Sequence, residues 1–313
     1  MSDQNLEHNV LEHLARDFLI ERRRTRRWGI FFRLATLAVA GLVLLVALAA
    51  VGSRDRACLD QCSGLVEVRG ELEAGGRASA ERINAGLREA FKHRGIKGVI
   101  LRINSPGGSP VQAGQVYDEV RRLRALHPDI PVHAVVEEMA ASGGYYIAAA
   151  ADQIHVDKAS IVGSIGVIMD GFGFTGTMER LGVERRVLSA GENKAFLDPF
   201  LPVKPGQQVF VQGMLDDVHG QFIAAVKAGR GARLKESPEL FSGLVWNGNR
   251  AIELGLADAL GSLDSVAREV IKAEDIVDFT PEDNIADRVA RKFGAALGGE
   301  IVLRMRREAL LWR

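Results

Sequence analysis

Residues 139–152 read Met-Ala-Ala-Ser-Gly-Gly-Tyr-Tyr-Ile-Ala-Ala-Ala-Ala-Asp, and the rest of the chain is organised around this stretch. The apolar run at 131–136 before it predicts a buried strand, and the alanines that close it predict a helix. Ser142 therefore lies where a strand turns into a helix, and unpaired backbone N–H groups at such a helix start face whatever binds there. Small residues on both sides of Ser142 would let a peptide backbone approach closely. An ordinary N-cap would occupy the same position, so the stretch alone leaves a catalytic and a structural role open.

The residues on either side of this stretch alternate between helix and strand patterns. Apolar residues repeat every fourth position over 210–226, which predicts a long amphipathic helix, and further helices are predicted at 80–91, 111–126 and 251–258. Strands are predicted at 65–72, 98–103, 132–136, 154–156, 165–168 and 186–188. A proline-containing loop is predicted between 191 and 206. This alternation predicts an α/β layer fold.

Composition places few limits on function. The chain has 313 residues, a length at which two domains are possible. It contains 47% hydrophobic and 26% charged residues, and its formal net charge is zero. Because no excess of positive charge is present, we expect no nucleic-acid partner.

A basic segment followed by an uncharged one predicts a membrane anchor. Residues 22–33 contain six arginines and no acidic residue, and the eighteen residues 34–51 contain only Thr36 as a polar side chain. As a helix, the second segment would be about 27 Å long, close to the apolar thickness of a bilayer. Because basic flanks stay on the cytoplasmic side, the sequence predicts a cytoplasmic N-terminus. Everything after the anchor would then lie outside the cytoplasm, which in a bacterium is the periplasm or the cell exterior.

Alternatives remain open in this N-terminal region. A cleaved signal peptide would use the small residues at 47–49, but its charged region would be about thirty residues long. A buried core helix would show a polar face and caps, which are absent. Apolar residues at 6, 10, 14 and 18 predict either an amphipathic helix on the inner leaflet or a loosely ordered tail. Cys58 and Cys62 make a poor metal site and could pair with each other, pair with another subunit or stay free.

A glycine turn ahead of Ser142 offers groups for acyl chemistry. The sequence Pro106-Gly107-Gly108 follows the predicted strand at 98–103. Its backbone N–H groups, with that of Gly143, could stabilise an oxyanion, and loss of one such donor typically slows catalysis about 10²–10³-fold. On its own, the same sequence is also an ordinary turn.

A serine nucleophile needs a base, and the sequence offers two kinds. Histidine is the usual base, but after Ser142 only His155, in a strand pattern, and His219, on the long helix, are present. A lysine can act instead when burial keeps it neutral. The lysine candidates are Lys194, in a small-residue loop, and Lys158. Each of these four residues could equally have an ordinary structural or solvated role.

Ser164 could support a lysine base. It lies between glycines in Ile161-Val-Gly-Ser-Ile-Gly-Val167. Its hydroxyl could form a hydrogen bond that holds the lysine. The alternative is a bulge or a close backbone contact.

Taken together and in this order, the motifs resemble the signal peptide peptidase A family. The matching segments are Asn104-Ser-Pro-Gly-Gly108, Ala141-Ser-Gly-Gly-Tyr-Tyr-Ile147, Gly163-Ser-Ile-Gly166, Ser189-Ala-Gly-Glu-Asn-Lys194 and Gly255-Leu-Ala-Asp258. The segments are specific jointly and not singly. The resemblance covers about residues 64–272 and corresponds to the short, single-domain form of the family. Asn247 and Ala257 depart from the expected hydroxyl residue and valine, but both lie outside the candidate site.

The resemblance implies a role for each candidate residue. Ser142 would be the nucleophile and Lys194 the general base, with Ser164 orienting the lysine. The oxyanion donors would be Gly108 and Gly143, with Gly107 as the less favoured neighbour. The family also implies a Clp-protease/crotonase-like α/β fold behind a single N-terminal transmembrane helix, and no cofactor or metal.

On this resemblance the chain would be a membrane-anchored serine endopeptidase that cleaves remnant signal peptides and other small unfolded polypeptides through an acyl-enzyme. Its partners would be those peptides, the lipid bilayer and further copies of itself. The copies would form a ring in which Lys194 of one subunit lies against Ser142 of the next. The predicted segments are a basic cytoplasmic region at 1–27, the transmembrane helix at 28–52, a linker at 53–63, the peptidase domain at 64–274 and a tail at 275–313.

Two other functions fit parts of the pattern. A crotonase-like acyl-CoA enzyme also uses glycine-rich oxyanion turns, but CoA is cytoplasmic and the predicted location is not. A catalytically inactive membrane scaffold would have no need of Ser142, Lys194 and Ser164 together. The sequence determines neither the subsite preference nor the number of subunits.

Overall fold

The computed structural model describes residues 28–41, 61–235 and 237–281. The chain divides into two compact units, with the boundary between residues 57 and 58. The predicted cytoplasmic region at 1–27, most of the linker and the tail beyond 281 lie outside the described residues. Cys58 also lies outside the described residues. Cys62 is described, and it is buried and disulfide-bonded.

In the first unit, residues 28–41 form helix α1. The rings of Trp28, Phe31 and Phe32 contact one another on it, with centroids 5.7–5.8 Å apart. None of the helices in the described ranges combines the length and the apolar character needed to cross a bilayer. Residues 42–52 of the predicted anchor lie outside those ranges.

The described part of the second unit is built on one sheet of eight strands. The strands are β1 (Cys62–Arg69), β2 (Ile96–Ser105), β3 (Val132–Ala141), β4 (Gln153–Val156), β5 (Ile161–Gly163), β6 (Val245–Asn247), β7 (Ala259–Leu260) and β8 (Ile276–Asp278). They lie in the order β6-β5-β3-β2-β1-β8, and β4 pairs with β3 and β7. Every pair is parallel except β5 with β6. The α/β class that the alternating pattern predicts is confirmed.

Helices connect the strands. They are α2 (Ala80–Lys92), α3 (Pro110–Leu126), α4 (Gly143–Ala148), α5 (Thr175–Leu181), α6 (Pro205–Arg230), α7 (Gly248–Glu253) and α8 (Leu263–Ser265). A 3₁₀ turn, Gly231–Arg233, follows α6, and a π-helical turn, Val266–Ile271, follows α8. Ser109 caps α3 by accepting a hydrogen bond from the Gln112 N–H, and Pro110 suits the first helical position because its missing N–H needs no partner there.

Apolar side chains cover both faces of the sheet. One face packs against α2, α3, α4 and α6 in the main core. The other face carries a smaller core made of Leu65, Ile100, Val135, Val266 and Ala267. Because successive strand residues point to opposite faces, the central parts of these parallel strands are apolar on both faces, and charged residues lie mainly towards the strand ends.

Strand β3 changes partners along its length, and this change positions Ser142. Residues His133–Val136 pair with β4, whereas Met139–Ala141 pair with β5. Between the two parts the register with β2 shifts, and β3 contains two more residues than β2 over that interval. A bulge of this kind bends a strand. The end of β3, followed directly by Ser142, is therefore held beside β5.

Two histidines lie side by side within the sheet. His133 of β3 and His155 of β4 are 5% and 3% exposed, and His155 Nε2 lies 3.4 Å from His133 Nδ1. Burial, and next the neighbouring His155, lower the pKa of His133 to about 4, although Asp152 and Asp258 oppose the shift. Burial also lowers the pKa of His155, which Asp258 opposes. His155 thus belongs to a buried neutral pair.

We expect this pair to make the protein less stable as the pH falls from about 6.5 to about 4. The unfolded chain protonates histidine near pH 6.5, whereas folded His133 does so only near pH 4. Acid therefore favours the unfolded state across this window, by on the order of 3 kcal/mol for His133, and the stabilisation is complete above it. Urea unfolding measured at intervals across the window gives the free energy of unfolding.

His133→Asn should flatten this part of the stability profile, since asparagine does not titrate there. His127→Asn, which removes a histidine outside the pair, should leave the profile unchanged. Equal slopes in the wild type and His133→Asn would contradict the prediction.

A buried arginine ties the end of α6 to the sheet. Arg230 is 1% exposed and donates to both carboxylate oxygens of Asp258, at 2.8 and 2.9 Å, and to the Gly255 carbonyl at 2.8 Å. Asp258 also accepts the Ile154 N–H of β4 at 2.7 Å. Burial alone would raise the pKa of Asp258, but these hydrogen bonds and the charges of Arg230 and Arg233 lower it. The aspartate of the Gly255–Asp258 motif is thus a structural residue.

Two of the predicted strands are wrong. Residues 165–168 and 186–188 form no strand. Ile168 and Leu188 are 83% and 102% exposed, so their apolar side chains do not contribute to the core. A strand requires another strand to pair with, and among the described residues no strand pairs with either segment.

Candidate active site

The backbone of Ser142 is held in an unusual conformation. Its φ is 51°, a value that residues with a side chain rarely adopt. The Ser142 N–H donates to the Gly163 carbonyl at 2.8 Å, and the Ser142 carbonyl accepts the Tyr146 N–H at 3.0 Å. The Ser142 hydroxyl forms no cap hydrogen bond with α4. The N-cap role that the sequence leaves open is therefore absent, and such strained residues concentrate at functional sites.

The Pro106–Gly108 turn packs directly against Ser142. Gly107 and Gly108 have φ values of 104° and 135°, which favour glycine. The Gly107 carbonyl accepts the Leu72 N–H at 2.7 Å, and the Leu72 carbonyl accepts the Ser109 N–H at 2.8 Å. A Cβ at Gly107 would lie 2.7 Å from Ser142 Cβ, so only glycine fits.

Two backbone N–H groups next to Ser142 are available to an oxyanion. In the part of the chain that the structure describes, the N–H groups of Gly108 and Gly143 have no acceptor. The Gly107 N–H instead donates to Ser105 Oγ at 3.2 Å. Gly108 and Gly143 are therefore better placed than Gly107 to stabilise an oxyanion.

Ser142, Gly143 and Gly108 open into a pocket of about 630 Å³. Its walls come from α3 and α6 and from the segments around 164–168 and 242–243. Tyr146 and Phe222 stack within it, with ring centroids 4.8 Å apart. The pocket can hold a side chain of a peptide whose carbonyl reaches Ser142.

Ser164 lines the same pocket as Ser142. Its φ is 52°, and its N–H donates to the Leu244 carbonyl at 2.7 Å, beside the β5–β6 pair. The preceding residue, Gly163, is the one whose carbonyl holds the Ser142 N–H. The structure thus brings the two serines to one pocket, as the resemblance implies.

None of the candidate bases lines the pocket within one chain. Lys194 is exposed in a run of turns, and no lysine, arginine or histidine is among the described pocket residues. Lys158 lines a different pocket. His155 is in the buried pair, and the Nε2 of His219 lies 3.1 Å from the Ile165 carbonyl. The geometry of one chain therefore brings the candidate nucleophile Ser142 and two free backbone N–H groups together without a candidate base beside them.

The sequence patterns did not reveal the pocket walls. Val218 and Phe222 fit the four-residue repeat of α6, which predicts a buried face and gives no sign of a pocket. Gln115 and Asp118 on α3 also line it. No signal in the sequence distinguishes these residues from ordinary helix surface.

Comparison with known proteins gives the family. Residues 124–277 match the profile described as Peptidase family S49. A Brucella melitensis protein named Na(+)/H(+) antiporter NhaA is 43% identical over 210 residues, which are 66% of this chain and 28% of that protein. An Enterococcus faecium protein assigned as a signal peptide peptidase is 33% identical over 187 residues, 58% of this chain and 54% of the relative. A Synechocystis protein assigned as a protease is 33% identical over 197 residues, 63% of this chain and 69% of the relative.

The chain spans 28% of the length of the Brucella relative and 54% of the Enterococcus relative. The profile match includes Ser142, Ser164 and Lys194. On the profile and on the match that covers 69% of the Synechocystis protein, the chain belongs to peptidase family S49, the signal peptide peptidase A family.

Proposed function

We propose that this chain is a membrane-anchored endopeptidase with a Ser142–Lys194 dyad, which cleaves remnant signal peptides and other small unfolded polypeptides. The observation that carries the proposal is Ser142, held at positive φ beside two backbone N–H groups that have no acceptor in the described ranges. A serine in this setting suits attack on a carbonyl and stabilisation of the oxyanion that forms.

In the proposed reaction, the Ser142 hydroxyl adds to the substrate carbonyl while the neutral amine of Lys194 takes its proton. The carbonyl oxygen becomes an oxyanion that accepts hydrogen bonds from the Gly108 and Gly143 N–H groups. Collapse of this intermediate breaks the C–N bond, the lysine ammonium protonates the leaving amine, and the acyl group stays on Ser142 as an ester. Lys194 then takes a proton from water, which attacks the ester and releases the acid while the proton returns to the Ser142 oxygen.

We also propose that Lys194 reaches Ser142 from an adjacent copy of the chain. Lys194 is exposed and does not line the pocket around Ser142 of its own chain. The segment 166–204 exposes several large apolar side chains, namely Ile168, Phe172, Leu181 and Leu188. Exposed apolar surface of this kind is typical of subunit interfaces. In a closed ring this surface would be covered, a buried lysine ammonium would be easier to deprotonate, and only short or unfolded chains would gain access.

Subunit mixing tests the shared dyad. Ser142→Ala and Lys194→Ala chains, each inactive, are unfolded, mixed in equal amounts and reassembled. At random assembly about one interface in four joins an intact Ser142 to an intact Lys194, so about a quarter of the wild-type activity should return. Mixed oligomers without activity would show that the dyad lies within one chain.

A fluorophosphonate probe separates the peptidase from the two other functions. An active serine peptidase is labelled at Ser142, and Ser142→Ala is not. A crotonase-like acyl-CoA enzyme or an inactive scaffold would remain unlabelled. Unlabelled wild-type protein in its assembled form would therefore reject the proposal.

The proposed anchor is supported by the basic and apolar segments of the sequence at 22–51. The orientation would place Ser142 outside the cytoplasm. Protease added to spheroplasts should reach the Ser142 domain, whereas protease added to inside-out vesicles should not. Digestion only from the cytoplasmic face would reject this orientation.

A further inference from the structure

The pocket beside Ser142 carries one charged group. Among the described residues that line it, Asp118 alone has a formal charge. Asp118 lies on α3, one helical turn beyond Gly114 and two turns beyond Val111. Gly114 and Val111 line the same pocket. One face of α3 thus extends from the apolar Val111 to the carboxylate of Asp118.

The carboxylate of Asp118 has no partner within the described ranges. Its neighbour Glu119 shows the contrast, because Arg88 and Arg122 donate to the Glu119 carboxylate at 2.6 and 2.7 Å. No hydrogen bond or ion pair of this kind reaches Asp118, which is exposed. The two arginines neutralise the charge of Glu119, whereas the charge of Asp118 remains available to a ligand.

The charge of Asp118 also acts on the pocket interior. Burial raises the pKa of the Tyr146 hydroxyl, and the negative charge of Asp118 raises it further. Tyr146 lines the pocket and stacks on Phe222. A carboxylate that disfavours a phenolate in the pocket equally favours a cation there.

The remaining walls suit the stem of a long basic side chain. Val167, Val218 and Phe222 are apolar. Lysine and arginine combine an apolar stem with a cationic end, so the stem can pack on apolar walls while the end reaches an acid at an open rim.

We infer that this pocket selects peptides with lysine or arginine on the acyl side of the cleaved bond, and that Asp118 is the residue that determines this specificity. The inference rests on the proposed peptidase function. The oxyanion donors and Asp118 line one pocket, so a residue whose carbonyl is held at Ser142 can extend its side chain along α3 towards Asp118.

The test uses the assembled full-length enzyme and quenched fluorescent peptides that differ at one residue on the acyl side. The residue is arginine, lysine, norleucine or glutamate, and the cleaved bond is identified by mass spectrometry. The wild type should prefer arginine and lysine to norleucine, and glutamate should be the poorest. Asp118→Asn should lower kcat/KM for the basic peptides about fivefold, the scale of a partly exposed ion pair, and leave norleucine unchanged. Asp118→Lys should reverse the order of the charged peptides.

Asp129→Asn is the matched control, since it removes an exposed aspartate that does not line the pocket. Asp129→Asn should leave the ratios of kcat/KM between the four peptides unchanged. Added salt should weaken the preference of the wild type for basic peptides. Two results would overturn the role of Asp118 and leave the peptidase function intact. The first is a wild type that hydrolyses all four peptides with no preference for charge, and the second is an equal loss of kcat/KM on all peptides in Asp118→Asn. Failure to hydrolyse any peptide, with no fluorophosphonate labelling of Ser142, would overturn both.

Discussion

Ser142→Ala and Lys194→Ala should each lower kcat/KM for peptide hydrolysis by about 10⁴-fold or more while leaving the protein folded. The two residues act as one unit, because the hydroxyl attacks only as its proton leaves. The double variant should therefore be no less active than either single variant. Ser164→Ala should lower kcat/KM by a smaller factor, roughly 10–10²-fold, because the proposed role of Ser164 is to orient the lysine. Initial rates on a quenched peptide, with circular dichroism as the check on folding, measure these effects.

Lys158→Ala is the matched control for the lysine. Lys158 is also exposed but lines a different pocket from Ser142, so its removal should leave the rate unchanged. A Lys194→Ala enzyme with a rate near the wild type would reject the dyad.

Asp258→Ala should lower the free energy of unfolding by about 3–5 kcal/mol. The change leaves the guanidinium of Arg230, whose side chain is 0% exposed, buried without its carboxylate. It also removes the acceptor of the Ile154 N–H. Urea unfolding at neutral pH gives the free energy, and the transition midpoint should fall accordingly.

Glu253→Ala is the comparison for the ion pair. Glu253 pairs with Arg250 at 2.7 Å, but both side chains are more than half exposed, so the change should cost less than about 1 kcal/mol. Replacing both Arg230 and Asp258 by apolar residues should cost less than Asp258→Ala alone, because no unpaired charge remains buried. Equal effects of Asp258→Ala and Glu253→Ala would contradict the structural role of the buried pair.

Local patterns were sufficient to predict most of the fold. The four-residue repeat predicts a helix over 210–226, which lies within α6 (Pro205–Arg230), and apolar runs identify β2, β3 and β4. The predicted strands at 165–168 and 186–188 are wrong because an apolar run becomes a strand only when another strand pairs with it. Ile168 and Leu188 remain exposed instead, in a segment that we propose as a subunit interface.

The junction at Ser142 could also be predicted from sequence, since glycines and a serine between a strand and a helix limit the backbone locally. The roles of other residues depend on contacts between distant parts of the chain. Asp258 occurs in a motif, yet only its contact with Arg230, 28 residues earlier, identifies it as a structural residue. Likewise, nothing near Asp118 in the sequence indicates that it lines the pocket of Ser142.

The sequence by itself determined the α/β class, the strand-to-helix position of Ser142 and the glycine turn at Pro106–Gly108. These features depend on residue periodicity and on backbone conformations that glycine permits, which act over a few residues. Only the tertiary structure decided that Gly108 and Gly143, and not Gly107, present free N–H groups within the described ranges, and that Ser164 shares the pocket of Ser142. The Gly107 N–H is occupied by Ser105, two residues earlier, whereas the position of the turn and of Ser164 depends on hydrogen bonds to Leu72 and Leu244, which are far away in sequence. Residue periodicity carries no information about either kind of contact.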